Sequence, residues 1–266
     1  MTITSIGRVI ITAKLDVLSG LHIGAGKDTI EIGGIDNPVI KNPHTGEPFV
    51  PGSSLKGKVR FLLEWAFGKI RQDGKVWGDN AASDQDFTLD DAILRIFGTP
   101  AKRDVWDGGP TRIICRDATL DKDWRDDILR RGLGYTEDKT EVVIDRLAGK
   151  AHDGIGPRQT ERVPAGAKFD AEFVFRLYDT GDGGVRDRQC LAWFIAGLDL
   201  LEQDALGGSG SRGYGRVKFT NLKMKGLDGT ETSLDNVWRG HRFDPKTPPE
   251  DLMATINAAT RPLATA

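Results

Sequence analysis

From Arg8 to Val17 apolar residues alternate with polar ones. Val9, Ile11, Ala13, Leu15 and Val17 share one face, and this period of two predicts a half-buried β-strand. The period changes in LKGKVRFLLEWAFGKIR, where Leu55, Val59, Leu62, Leu63, Ala66, Phe67 and Ile70 recur at helical spacing. Ser53 and Ser54 stand just before this helix, where a hydroxyl can accept from a free first-turn N–H. LDDAILRIFG predicts a short helix ended by Gly98, and TRIICRDATL a second strand. AKFDAEFVFRLY alternates again, with Ala167, Phe169, Ala171, Phe173, Phe175 and Leu177 on one face of a third strand. Residues 185–204 place Leu191, Phe194, Ile195, Leu198 and Leu201 on one helical stripe, and RVKFTNLKM alternates as a fourth strand.

The order β-α-β-β-α-β predicts an α+β chain built on the ferredoxin-like split βαβ pattern, an arrangement shared with RNA-recognition domains. Many activities use this fold, so the pattern does not assign one. One domain is expected over residues 1–233, with insertions at about 19–52, 73–110 and 132–165, the last an inserted hairpin or lobe. Loops that long in a compact domain mark function. Residues 234–266 form a polar, Pro-containing C-terminal extension, expected to be partly flexible and frayed at its last residues.

Composition narrows the class. The chain has 266 residues, enough for a sizeable core. No apolar run approaches the ~20 residues of a membrane helix. The first ten residues lack the basic-then-apolar layout of a secretory signal. Cys115 and Cys190 have no C-x-x-C partner and read as buried free thiols. A reducing cytoplasm is the expected setting. The net charge of −2 means that nucleic-acid binding would need cations gathered on one face. They are gathered: Lys41, Lys56, Lys58, Arg60, Lys69 and Arg71 face only Glu47 and Glu64, and Gly207 to Lys218 holds Arg212, Arg216 and Lys218 with no acid. Asp73 to Asp91 has the opposite bias and reads as a solvated acidic loop.

In GGSGSRGYGRVKF the glycines would let backbone N–H groups approach a phosphate, with Arg212 and Arg216 adding charge; the alternative is a connection rich in glycine for steric reasons. It departs from the RNA-recognition signature at Arg216, where an aromatic is expected. PGSSLKGKVR puts Ser53, Ser54 and first-turn N–H groups at an anion-binding helix N-terminus, with Lys56 and Arg60 on one face; the alternative is that the serines only cap and the cations only solvate. Asp36, beside Asn37-Pro38, reads from its neighbours alone as a turn residue. His22 either contacts RNA or bridges backbone groups. No Walker A loop, Ser-His-Asp set, H-E-x-x-H or metal-spaced Cys/His set occurs.

Taken together, LHIGAGKD, GGIDNPVIKNPHTGEPFVPGSSLKGKVR, FGTP, RIICRDATL, KTEVVIDRLAGKAHDGIGPRQTERVPAGAKF and GGSGSRGYGRV resemble the RAMP superfamily, specifically the repeated backbone subunit of type III-A (Csm-type) CRISPR complexes. The likeness runs from about Val9 to Lys218. It implies copies stacked head-to-tail along the CRISPR RNA (crRNA), a ferredoxin-like palm, an inserted loop or lid, and a thumb β-hairpin within Thr140 to Val163. The thumb would displace one nucleotide at regular intervals, with Arg146, Arg158 and Arg162 near RNA. His22, Ser53, Ser54, Lys56, Lys58, Arg60, Gly208, Gly210, Ser211, Arg212, Tyr214 and Gly215 are the further RNA-binding candidates. Asp36 matches the aspartate the family needs to cleave target RNA in a reaction dependent on Mg²⁺ or Mn²⁺, either holding the ion or accepting a proton. The implied partners are crRNA, single-stranded target RNA, further copies of the chain and other type III subunits, with no membrane. Two alternatives stay open: a crRNA-binding subunit that does not cleave, and an endoribonuclease that trims the guide precursor. The acidic stretch and the tail beyond Leu227 fit the family poorly and read as lineage-specific additions.

Overall fold

The computed structural model describes residues 2–26, 37–79, 88, 90–99 and 106–261. Strand β1 (Thr4–Val17) lies inside a six-stranded sheet. It pairs antiparallel with β6 (Lys168–Asp179) on one side and β7 (Val217–Lys225) on the other. Beyond β6 lie β2 (Ile113–Cys115) and β3 (Thr119–Leu120), and β8 (Glu231–Ser233) extends past β7, giving the order β2-β6-β1-β7-β8 with β3 also on β6. The alternating face of β1 is closed to water, as are Phe169, Phe173 and Phe175 of β6. Against this core pack α1 (Gly52–Ala66), through Leu55, Val59 and Leu63, and α4 (Val185–Glu202), through Leu191, Phe194, Ile195 and Leu198. Gly197 makes the helix contact possible, because a methyl group there would press into Val59 and Leu63. The result is a mixed α/β architecture with antiparallel sheets.

Several expectations need correction. The second strand is two short ones, because the chain turns between them: Asp117 accepts from the Gly52 N–H (2.7 Å) and Ala118 pairs with Val50. That bond puts a carboxylate at the start of α1. Ser53 and Ser54 do not cap the helix; Pro51 holds the cap position without a side-chain bond. The helix stops at Ala66, since Gly68 takes a φ of +67° that only glycine adopts freely, so Ile70 is exposed rather than helical.

The acidic run is not a solvated loop throughout. Asp91 is buried, caps α2 (Ala92–Phe97) by accepting from the Leu94 N–H, and accepts from Trp77 Nε1. Asp73 pairs with Arg71, and Asp90 with Arg186. Asp84 and Asp86 lie outside the described residues. Helix α3 (Lys122–Arg130), capped by Asp121, was not anticipated, because only Ile128 in it is buried and no apolar stripe marks it. The C-terminal extension is part of the core as far as it is described. Leu234, Trp238, Leu252 and Ile256 are buried, and α5 (Glu250–Ala259) is fastened where the Leu227 N–H donates to Ala259 and the Arg188 guanidinium to Thr260. Residues 262–266 lie outside the described residues. Within 132–165 the expected hairpin forms as a separate two-stranded sheet, β4 (Glu137–Glu141) with β5 (Arg158–Arg162). Among the described residues no helix is long and apolar enough to cross a membrane.

At the sheet end farthest from this hairpin, Asp187 takes bonds from Arg95, Arg112 and the Tyr178 N–H, with all three charged side chains closed to solvent. Cys115 and Cys190 are free thiols, and burial pushes Cys115 up to about 12. Neither is a poised nucleophile.

Candidate nucleic-acid interface

The end of β1, the start of β7 and the hairpin meet at one edge of the sheet. Leu18 and Ser19 N–H groups donate to the Arg216 carbonyl, Gly215 N–H donates to Gly20, and Leu21 pairs with Val163 just past β5. The chain then runs through Ile23 and Ala25, which bond to Ile40 and Pro38 on the returning arm. Residues 27–36 join these two arms and lie outside the described residues, so the candidate catalytic Asp36 does too. Its sequence neighbour Asn37 is held by β5: its carbonyl accepts from the Glu161 N–H (3.0 Å), and it bridges to Thr160.

Glu161 is the fastener of this edge. Its carboxylate is almost completely buried and accepts from the Val39 N–H (2.8 Å), from Thr136 Oγ1 (2.6 Å) and from the Lys41 ammonium. Burial alone would raise this carboxyl; the bonds from Lys41, Thr136 and Val39 together outweigh it and hold it below its ordinary range. The Glu161 carbonyl also receives His22 Nδ1 (2.7 Å), which makes His22 a bridge to backbone. The His22 carbonyl in turn accepts from the Gly208 N–H (2.9 Å), tying the Gly-rich loop to the same edge.

The hairpin is fixed to that loop by Tyr214. Its ring lies under Lys139 (4.4 Å) and Arg162 (5.2 Å), and its hydroxyl donates to Glu141 (2.9 Å), which also pairs with Arg212 (3.3 Å). The Tyr214 hydroxyl, helped by Lys139 and Arg212, holds Glu141 below the usual carboxylate range. Arg162 donates to Glu137 (2.7 Å).

The candidate residues therefore separate. Arg146 and Arg158 on the hairpin and Ser211 and Arg212 on the loop are exposed, and Gly210 opens the single 3-10 turn Gly210–Arg212. Tyr214 and Gly215 are buried and serve the loop's own structure; Gly215, at φ +71°, has both backbone groups engaged, and Gly208 spends its N–H on His22. Arg60 is also corrected. It is spent inside the fold on Glu64 (2.7 Å) and on the carbonyls of Trp77 (2.6 Å) and Gly98 (3.3 Å), because α1 turns that face toward α2. Lys58 pairs with Asp204 (3.0 Å), and Lys56 is half-buried, with burial lowering its ammonium pKa. Glu161 carries no role in the sequence pattern, where Lys41 stands only as one of the gathered cations. The one signal for Glu161 is an acid standing two residues before Val163 on the inward side of QTERV.

Among the described residues no three His, Cys, Asp or Glu side chains form a cluster able to hold a metal ion. Glu137, Glu141 and Glu161, which stand at this edge, are already bound to cations.

A two-layered chain whose hairpin and glycine-rich loop frame one edge of an antiparallel sheet belongs to a known class. The chain belongs to the RAMP superfamily, which residues 14–218 match. More particularly, it is similar to proteins described as CRISPR system Cms endoribonuclease Csm3. The one from Methanocaldococcus jannaschii is 38% identical over 259 residues, covering 90% of this chain and 97% of the relative. That from Streptococcus thermophilus is 38% identical over 217 residues, covering 81% and 89%. Among solved structures, the crystal structure of a Csm3-Csm4 subcomplex in the type III-A CRISPR-Cas interference complex is similar over 90% of this chain and all of that one, with a TM-score of 0.50 and 28% identity.

Proposed function

We propose that this chain is the repeated backbone subunit of a type III-A CRISPR ribonucleoprotein, an endoribonuclease that lies along crRNA in head-to-tail copies and cuts paired target RNA at regular intervals. The observation that carries this reading is the convergence, on one sheet edge, of the His22 loop, both arms flanking residues 27–36, the hairpin and the Gly-rich loop. The convergence occurs in a chain similar along most of its length to proteins named as Csm3 endoribonucleases. The sheet order β2-β6-β1-β7 supports reading residues 1–233 as one ferredoxin-like palm, with β4–β5 as its thumb and the extension packed behind. Other type III subunits complete the particle, and the cytoplasm is its setting.

The protein's part in the chemistry is positional. Guide pairing selects the target, and exposed Arg146, Arg158, Arg212 and Ser211 would meet backbone phosphates whatever the sequence. Displacing one base frees the backbone to bring a 2′-hydroxyl in line with the adjacent phosphorus. Its oxygen gives up its proton and bonds to phosphorus, the bond from phosphorus to the 5′-oxygen breaks, and that oxygen takes up a proton, leaving a cyclic phosphate and a 5′-hydroxyl; orientation of this kind contributes several kcal/mol. Asp36 is the carboxylate assigned to this site. Mg²⁺ or Mn²⁺ would supply charge neutralisation at the phosphate, and Mg²⁺ characteristically needs only one or two protein carboxylates.

The test uses the assembled particle, labelled complementary RNA and Mg²⁺. Asp36→Ala is expected to abolish regularly spaced products while target binding persists. Equal cutting by the variant would make the chain a scaffold whose cleavage chemistry resides elsewhere.

A further inference from the structure

The sheet edge framed by the hairpin and the Gly-rich loop is the candidate RNA groove, and helix α1 carries a feature outside it. Ser54, Lys58, Phe61 and Trp65 recur at steps of four, three and four, so they form one stripe along the helix, roughly 16 Å long at 1.5 Å per residue. Phe61 is 46% and Trp65 60% exposed, and their rings meet edge to face at 6.4 Å between centroids. Among the described residues the other large apolar side chains left in water, such as Leu147 on the hairpin and Leu129 on α3, are aliphatic. Two bulky aromatics at the surface are costly unless something covers them.

The stripe is continuous with the groove. Lys58 sits 4.9 Å from the Phe61 ring centroid and pairs with Asp204 at 3.0 Å. Asp204 precedes Ala205, whose Cβ stands directly against Gly210 at the start of the loop's 3-10 turn. A strand of RNA crossing Ser211 and Arg212 would thus reach Lys58 and then the half-exposed rings of Phe61 and Trp65.

We propose that this stripe is a stacking platform for unpaired RNA bases, with Phe61 and Trp65 as the stacking rings and Lys58 as the phosphate contact between platform and groove. A cation followed by aromatic rings along a path that leaves a glycine-rich basic loop is the pattern of single-strand binding surfaces, where every base offers a π-face and sequence matters little. A protein partner of aliphatic character would equally cover apolar area, but it would not require the cation at the head of the stripe. The inference rests on the reading of the chain as an RNA-binding subunit.

The test is the paired substitution Phe61→Leu/Trp65→Leu in the assembled particle. Leucine keeps apolar bulk and removes both π-faces, and the sites are exposed enough that folding is unaffected. The wild-type particle is expected to give ultraviolet cross-links between RNA bases and Phe61 or Trp65. The leucine variant is expected to hold RNA about ten-fold more weakly, with the same dependence on salt, since phosphate contacts are untouched. RNA affinity unchanged in the variant would overturn the proposal. So would loss of a protein component with RNA retained, which would make the stripe a protein-docking face. A wild-type particle without RNA would instead remove the functional reading itself, and the platform with it.

Discussion

Asp187 and Glu161 are both buried carboxylates that collect several donors, yet they stand at opposite ends of the sheet and do different work. Asp187 binds Arg95 of α2, Arg112 at the start of β2 and the Tyr178 N–H of β6, so its partners belong to the packed core. Glu161 binds Lys41, Val39 and Thr136, which belong to the loops and the hairpin base. The charge balance also differs. At the far end two arginines share one acid and Arg112 Nη2 has no hydrogen-bond partner among the described residues, whereas at the working edge Glu137, Glu141 and Glu161 each have a cation. A buried charge must be paired wherever it sits. One site closes a core; the other fastens the loops and the hairpin base along the sheet edge while Arg146, Arg158 and Arg212 stay at the surface.

The comparison breaks most visibly at Asp187. Asp187→Ala removes the buried acid that Arg95 and Arg112 both bind. The expected loss is about 3–5 kcal/mol of folding stability, read as a drop in the urea midpoint of the isolated chain. A midpoint within error of wild type would mean that water or rearranged partners serve these arginines, and the far end would no longer count as a closed core.

Glu161→Gln sharpens the other half. Glutamine keeps an acceptor but removes the charge that Lys41 needs, for an expected loss of about 1.5–3 kcal/mol at neutral pH. Because the folded-state pKa of Glu161 lies below its ordinary 4.5, its contribution is fully present above pH 4.5 and disappears as pH falls through the lower folded value. The stability gap between wild type and variant should therefore close in acid. A gap that persists once the carboxyl has protonated in the folded protein would place the effect in shape rather than charge.

Much of this architecture is legible in the sequence because its strands are buried on one face. β1, β6 and β7 alternate, and α1 and α4 carry long apolar stripes, so period and burial coincide. The failures share a cause. α5 buries only Leu252 and Ile256, one helical step apart after a proline-containing run, Trp238 stands alone, and α3 hides only Ile128, so each periodic signal is too short to read. Arg60 and Tyr214 look like RNA ligands in a one-dimensional reading because cations and aromatics near glycine mark such sites; in the fold, Glu64 and Glu141 claim them first. The edge that gathers His22, Arg162 and the Gly-rich loop depends on partners more than 100 residues apart, a pairing that no local pattern encodes. Resemblance to a family, not periodicity, brought those segments together in the sequence.

The smallest effect is the most selective. Tyr214→Phe removes only the hydroxyl that donates to Glu141, leaving the ring under Lys139 and Arg162. The bond is near the surface, and Arg212 remains beside Glu141, so global stability should fall by about 1 kcal/mol or less. Amide hydrogen exchange should change locally: faster in β4 and β5, unaltered in β1 and β6, because the hairpin is a sheet of its own joined to the palm through this contact and through Glu161. Equal acceleration in β1 would show that hairpin and palm open as one unit. In that case the distinction between a closed core at Asp187 and a fastened edge at Glu161 would dissolve, since loosening the edge would loosen the core with it.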